Sequence, residues 1–410
     1  MNLSADTRAP AAARTYPPGS RFLIDVSRLI WRIWSGRLPT GVDRVCLAYI
    51  EHFGPRALAV VQRRGHLWLL SSRRSEQLFG LLLNGHSTSR LALLAFVVKA
   101  LPSARRSVPR QDMLYFNVGH TGLDEPTLPA WIARNRVRAI YFIHDLIPLT
   151  HPEFCRLGEA DRHKQRLDNV LASAFGVIGN SKTTIEDLAG FAAERGVYMP
   201  PRVAAWISGH QPPARAERQS LPRPFFLTIG TIEGRKNHLL LLNVWNRLVQ
   251  AMGDAAPILV IIGQRGWKAE PVTALLDDLQ ELRSHVLEFG SCDDGELASW
   301  IAGARAVLMP SLAEGFGLPV IEALQLGTPV IVSDLPVYRE ILGDIPTYLQ
   351  PLDERAWEQV IVEFMADSLE RDRQIAAMRG YHPPRWDEHF RQVEEWLETL
   401  QASSGLRDSA

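Results

Sequence analysis

Short apolar runs rich in β-branched and aromatic residues alternate along the chain with longer segments whose apolar positions recur at helical spacing. That rhythm predicts parallel sheets with helices on both faces. In the first half the runs predict strands at 22–26, 57–62, 113–117, 139–143 and 175–179; in the second, at 225–229, 258–262, 286–289, 306–309 and 329–332. Between the two sets lies 211–224, proline-rich and poor in apolar residues, which can bury little surface and is expected to be an exposed linker. The fold class is therefore α/β, with one doubly wound unit over 21–210 and a second over 225–381. After Gly380, His382-Pro383-Pro384 interrupts the pattern. Trp386, Phe390, Val393, Trp396 and Leu397 then follow at near-helical spacing, so 382–410 is expected to carry one terminal amphipathic helix. No fixed period repeats, which excludes a solenoid. Residues 1–20, rich in Ala, Pro and Arg without an apolar centre, read as a disordered tail rather than a signal peptide.

Composition narrows the function. With 410 residues and 46% hydrophobic side chains, two or three domains with sizeable cores are expected. Lys+Arg 45 against Asp+Glu 45 gives no net charge, so nothing in the total suggests nucleic-acid binding. Cys46, Cys155 and Cys292 lie far apart without a C-x-x-C pair, which excludes a disulfide scaffold and a thiolate zinc site and suits the cytoplasm. No apolar stretch approaches the roughly 20 residues that span a bilayer. One region departs from this balance. Residues 63–110 hold nine basic side chains against the single acid Glu76, with the apolar run 91–98 inside them. Two readings stay open: a helix lying at an anionic membrane surface, or a core helix with solvated arginines.

The densest chemistry lies at 310–327, PSLAEGFGLPVIEALQLG. Glu314 and Glu322 bracket a glycine-rich turn, and Pro319 suits the start of a helix because its missing N–H would be unpaired there. The backbone amides from Phe316 through Gly317 and Leu318 to Val320 would then face outward at the positive end of the helix dipole, ready for a phosphate. Glu322, expected in the first helical turn, could accept hydrogen bonds from vicinal sugar hydroxyls. Upstream, the strand at 225–229 ends at Gly230, and its loop delivers Arg235 and Lys236. Each cation–phosphate contact at about 4 Å gains about 4 kcal/mol at an effective dielectric near 20, so the two could stabilise a departing diphosphate without a metal. In the first half, His144 and Asp145 lie just past a strand's carboxyl end, the edge at which open α/β sheets hold ligands. Thr40-Gly41-Val42 forms a turn that could bring amides toward a ligand. Ser181 and Thr183 read most simply as helix caps, with Thr183 and Glu186 at capping-box spacing.

These motifs resemble the retaining, nucleotide-sugar-dependent glycosyltransferases of family four, which have the GT-B fold. The resemblance is strongest over 225–353. An E-G-F-G-L-P-x-x-E setting matches Glu314 through Glu322 without a gap, and a G-T-[LI]-E-P-R-K-N loop matches Gly230 to Asn237 except for Gly234 in place of proline. The strings beginning at Gly263, Gly290 and Gly327 resemble the same domain. His144-Asp145-Leu146-Ile147-Pro148 looks like a segment of bacterial mannosyl- and rhamnosyltransferases of surface polysaccharide synthesis. Only Gly41 stands where many members carry two adjacent glycines.

The resemblance implies two Rossmann-like domains facing a cleft, with the C-terminal helix returning to the N-terminal domain through Trp386 and Trp396. It implies transfer of a sugar, GDP-mannose being the leading donor, from a nucleoside diphosphate to a glycan or lipid-linked acceptor with retention of configuration. Arg235 and Lys236 would hold the diphosphate and Glu322 the ribose. Glu314, with Phe316 to Leu318, would hold the donor sugar, and His144 would face it across the cleft. No metal or other cofactor is expected. The expected location is cytoplasmic, with contact to the inner face of the plasma membrane through 63–110. The rival is a catalytically silent subunit on the same fold that binds a nucleotide sugar or scaffolds an assembly complex.

Overall fold

The computed structural model describes residues 22–36, 40–84, 90–100, 112–209, 217–278 and 282–405. The expected N-terminal tail, the first part of the linker, and Arg105, Arg106 and Arg110 lie outside the described residues.

Strands β1 (Phe22–Asp25), β2 (Ala57–Arg63), β3 (His66–Leu69), β4 (Leu114–Asn117), β5 (Arg138–Ile143), β6 (Ala174–Gly179) and β7 (Arg202–Ala204) form one sheet in the order β3-β2-β1-β4-β5-β6-β7. Every pairing is parallel except that of β2 with β3. Strands β8 (Phe225–Ile229), β9 (Ile258–Ile262), β10 (Val286–Phe289), β11 (Val307–Met309), β12 (Val330–Ser333) and β13 (Thr347–Leu349) form an all-parallel sheet in the order β10-β9-β8-β11-β12-β13. All ten strands expected from the apolar runs are present, their ends shifted by one residue at most. The three that were not expected, β3, β7 and β13, are edge strands. Their residues are mostly half-buried or exposed, so they lack the continuous apolar signature of strands covered on both faces. By contrast β1, β4, β8, β9 and β12 are buried at every position.

The terminal helix, Trp386–Gly405, runs back onto the first sheet. Phe390 packs at 5.2 Å from Tyr49 and 5.6 Å from Phe53, and the Trp396 indole lies over Gly176 of β6. Where the chain crosses between domains, the His389 imidazole ties the segments together. Its Nδ1–H donates to the Ala205 and Trp206 carbonyls, and Nε2 accepts from the Tyr49 hydroxyl at 3.0 Å.

A second tie is electrostatic. Glu340, in the C-terminal domain, accepts hydrogen bonds from the amides of Lys182 and Thr183, the Thr183 hydroxyl and the Trp206 indole N–H, all between 2.8 and 3.0 Å. Of the two expected caps, Ser181 caps the helix Lys182–Glu194 by accepting from the Thr184 amide, and Thr183 does not. Thr183 instead reaches the other domain.

In both sheets the strand order reverses between neighbouring strands, β1 and β4 in one, β8 and β11 in the other. The crevice outside the carboxyl ends of such strands is where an open α/β sheet accepts ligands.

Candidate functional site

In the C-terminal sheet, the two motif-bearing loops are those that follow β8 and β11, so each flanks the reversal. After β8, Gly230 donates its amide to the Ile262 carbonyl, and a short 3-10 turn, Gly234–Lys236, projects Arg235 and Lys236. After β11, the chain runs from Pro310 to Gly317 before the helix Leu318–Gln325. Topology brings the loops together. Lys236 Nζ stands 2.5 Å from one oxygen of Glu314 and Arg235 Nη1 stands 3.0 Å from the other; the Ser311 hydroxyl donates at 2.6 Å. On its other side Arg235 pairs with Glu233 at 2.7 Å.

Burial raises the Glu314 carboxyl, but Lys236 and Arg235 outweigh it and hold the group down at about 2, a fixed anion near neutral pH. Glu233 is pushed up by burial. Two cations and two carboxylates thus form one cluster, with Glu314 between Lys236 and Arg235.

The helix that follows begins under steric constraint. Gly317 has φ +93°, and a Cβ there would run into the Tyr338 ring. Gly315 approaches the opposite domain so closely that a Cβ would stand 2.8 Å from the His144 carbonyl. Phe316 is buried, and Leu318 faces Gly41, the first residue of the helix Gly41–Phe53, across the cleft. Glu322 departs from expectation. It is the fifth residue of its helix, about one residue past the expected first turn. There Arg44 of the N-terminal domain holds it at 3.1 Å and holds Asp294 at 3.0 Å with its second nitrogen.

On the opposite wall His144 is buried, and its Nε2 lies 2.8 Å from the Val118 carbonyl. A carbonyl only accepts, so Nε2 carries the proton and Nδ1 keeps the lone pair. Burial lowers the imidazole to about 4, so it is neutral near pH 7. Asn180 donates to the His144 carbonyl at 2.7 Å, fixing the loop, and Asp145 accepts from the Ile147 amide at 3.1 Å. Asp145 therefore shapes the turn. His120, its ring 5.0 Å from that of His144, is likewise pinned to a carbonyl and driven neutral by burial.

Sequence reasoning missed Arg44, Glu233, Asp294, Ser311, His120 and Glu340. Glu233 and Ser311 lie inside the motifs already noted, and Asp294 follows β10 at the ligand-bearing edge. For the others no local signal exists, because their partners lie far along the chain.

In the region 63–110, the apolar run forms the helix Arg90–Ala100. Leu93 is buried, whereas Leu91 is 76% exposed and Leu94 is exposed, beside Trp31 and Trp34 on the neighbouring helix Ser27–Ser35. Among the described residues no helix is long and apolar enough to cross a membrane, and no group of three or more His, Cys, Asp or Glu side chains is placed to hold a metal ion.

Two doubly wound domains facing a cleft, with donor-type motifs at one reversal and a returning terminal helix, define the GT-B fold. Residues 213–380 match the family of glycosyl transferases group 1. Among relatives, it is 29% identical over 226 residues to the serotype-specific mannosyltransferase WbdA of Escherichia coli, covering 51% of this chain and 28% of WbdA. It is 32% identical over 178 residues to the O-antigen chain mannosyltransferase RfbU of Salmonella typhimurium, covering 42% of this chain and 46% of RfbU. The chain thus spans less than half the length of these relatives. Among solved structures, HepE of Anabaena in complex with UDP superposes with TM-score 0.61 at 15% identity, over 93% of this chain and 100% of that one. Sucrose-phosphate synthase of Thermosynechococcus elongatus gives TM-score 0.61 at 16% identity, over 94% and 100%. At such identities the likeness is one of fold.

Proposed function

We propose that the protein is a retaining α-glycosyltransferase that moves a sugar, mannose from GDP-mannose in the first instance, onto a hydroxyl of a glycan or lipid-linked acceptor in bacterial surface polysaccharide synthesis. The observation that carries this reading is the pair Arg235 and Lys236, both within 3.0 Å of a buried Glu314 at the reversal point of the second sheet. The mannosyltransferase relatives and the H-D-L-I-P segment favour mannose.

In this reading the donor diphosphate takes Arg235 and Lys236 from Glu314. The charge that grows on the departing phosphate oxygen is then met by preorganised cations, the largest usual source of rate enhancement. Glu314 and the amides of Phe316 to Leu318 turn to the sugar, and Glu322 accepts from the ribose hydroxyls once Arg44 is displaced. His144, neutral with Nε2–H fixed on Val118, offers Nδ1 as an acceptor to a sugar hydroxyl. The departing oxygen takes the acceptor proton on the same face, so configuration is retained and positioning dominates. No metal is needed in this scheme.

The test is a thermal-shift screen against GDP, UDP, dTDP, ADP and their sugar conjugates, with and without EDTA, followed by product analysis of the anomeric linkage. Stabilisation by one nucleotide family that survives EDTA, and an α-linked product, are expected; a ligand at a hundredfold excess over its Kd adds about 2.7 kcal/mol. Nucleotide binding without product would favour the silent subunit.

We also propose that the protein works at the cytoplasmic face of an anionic membrane, docked through 63–110. Exposed Leu91 and Leu94 beside Trp31 and Trp34, with Arg90 lying against Gly36, support it. Flotation with liposomes should require anionic lipid and weaken in Trp34→Ser; flotation independent of anionic lipid would count against it.

A further inference from the structure

One cavity lies away from the Glu314 and His144 groups. It has a volume of about 270 Å³ and lies where both interdomain crossings meet the first sheet, between Lys182, Ala204, Trp206, Pro384, Arg385, Glu388, His389 and Gln392. At this size, near the lower end of ligand pockets, it suits one or two sugar rings better than a nucleotide.

Its chemistry is specific. The Trp206 indole is 36% exposed and rigidly held, since its N–H donates to Glu340 at 2.8 Å. It therefore presents a fixed aromatic surface, apolar on its face and already satisfied at its polar edge. Lys182 and Glu388 both line the cavity and are exposed, so a donor and an acceptor stand around one space. Gln392 donates its amide nitrogen to the Ala204 carbonyl at 2.9 Å, leaving its oxygen as an acceptor. Arg385 is held by Asp387 at 2.8 Å and is largely neutralised. An anionic ligand would meet Glu388, and a cationic one Lys182. A neutral polyol satisfies both, because each hydroxyl donates and accepts, and its C–H face packs on the indole.

We propose that this hinge cavity is a binding site for neutral saccharide, holding a segment of the glycan on which the enzyme acts; the identity of that glycan rests on the function proposed above. The site is coupled to the cleft by two short paths. Trp206 shares Glu340 with Lys182 and Thr183, which fastens the domains together, and Asn180, two residues before Lys182, holds the His144 carbonyl. Saccharide in the cavity retains the growing chain while the cleft turns over.

Saturation-transfer NMR tests this with mannotriose and maltotriose as neutral probes and trigalacturonate as the charged control, on the full chain. At least one neutral trisaccharide should give a signal that falls tenfold or more in Trp206→Ala, while Trp206→Phe, which keeps an aromatic face, retains it. A signal that survives Trp206→Ala, equal binding of trigalacturonate, or no signal with either neutral probe overturns the proposal. The nucleotide thermal shift separates it from the donor reading. Trp206-dependent saccharide binding without any nucleotide shift keeps the cavity and removes the donor site, and a nucleotide shift without saccharide binding does the reverse.

Discussion

Across the cleft, the Glu314 cluster and the His144–His120 pair satisfy their buried polar groups by different means. On the C-terminal wall Glu314 is balanced by two cations, and Arg235 by two carboxylates. On the N-terminal wall His144 and His120 are neutral and lean on backbone carbonyls. A wall of mutually paired charges can exchange partners with a charged ligand at little net cost, because burying an unpaired charge is what costs most. A wall of neutral groups on backbone carbonyls cannot exchange in this way; it can only position. The division suits the proposed reaction, in which the donor carries a diphosphate and the acceptor offers a hydroxyl.

Breaking the charged wall should have the largest effect. Lys236→Ala is expected to lower the transfer rate about a hundredfold or more, the usual size for removing one preorganised charge partner, whereas His144→Ala should spare nucleotide affinity. Calorimetry and initial rates on both variants check this; equal loss of nucleotide affinity in the two would erase the distinction between the walls.

Next in size is the turn that carries the charged wall. Gly317→Ala forces a side chain into a left-handed backbone against Tyr338 and should cost about 1–3 kcal/mol, read by denaturant unfolding. An unchanged midpoint would show that the turn relaxes freely.

A smaller effect is expected at the link between the walls. Arg44 lies across Glu322 and Asp294 where the ribose is proposed to bind, so Arg44→Met should tighten nucleotide binding several-fold, the scale of a partly exposed ion pair worth about 0.5–1 kcal/mol. Weaker binding would instead make Arg44 a ligand contact.

The smallest effect is a pH signature for each wall. His144 is lowered by burial from 6.5 to about 4, so its contribution is complete above pH 6.5 and declines as pH falls toward 4. Glu314 is held down from 4.5 to about 2 by Lys236 and Arg235 against its burial, so its contribution is complete above 4.5 and declines toward pH 2. Stability measured across this range should show a smaller upper step in His144→Gln and a smaller lower step in Glu314→Gln, His389 and Glu394, lowered to about 4 and about 2, supplying part of the remainder. Loss of both steps in one variant would mean the walls titrate together.

Much of this was legible in the chain. The central strands announced themselves because both faces are covered, and the Glu314 and Arg235–Lys236 motifs because their residues are contiguous and each follows a strand end. The edge strands β3, β7 and β13 were not legible, since half-exposed strands carry mixed residues. Glu322 falls about one residue past the first turn because helix boundaries depend on where Gly317 can cap, which the string alone leaves open. Thr183 was read as a local cap when its partner, Glu340, lies 157 positions away.

By itself the sequence determined the α/β alternation, the buried strands and the types of group available for chemistry, because backbone preference, apolar periodicity and motif spacing act over a few residues. Tertiary structure alone decided which charges neutralise one another, that Arg44 crosses the cleft to Glu322, and that Trp206, Lys182 and Glu388 surround one cavity. Coulomb forces and hydrogen bonds act over ångströms of space, and only the folded topology brings side chains more than 200 positions apart within that reach.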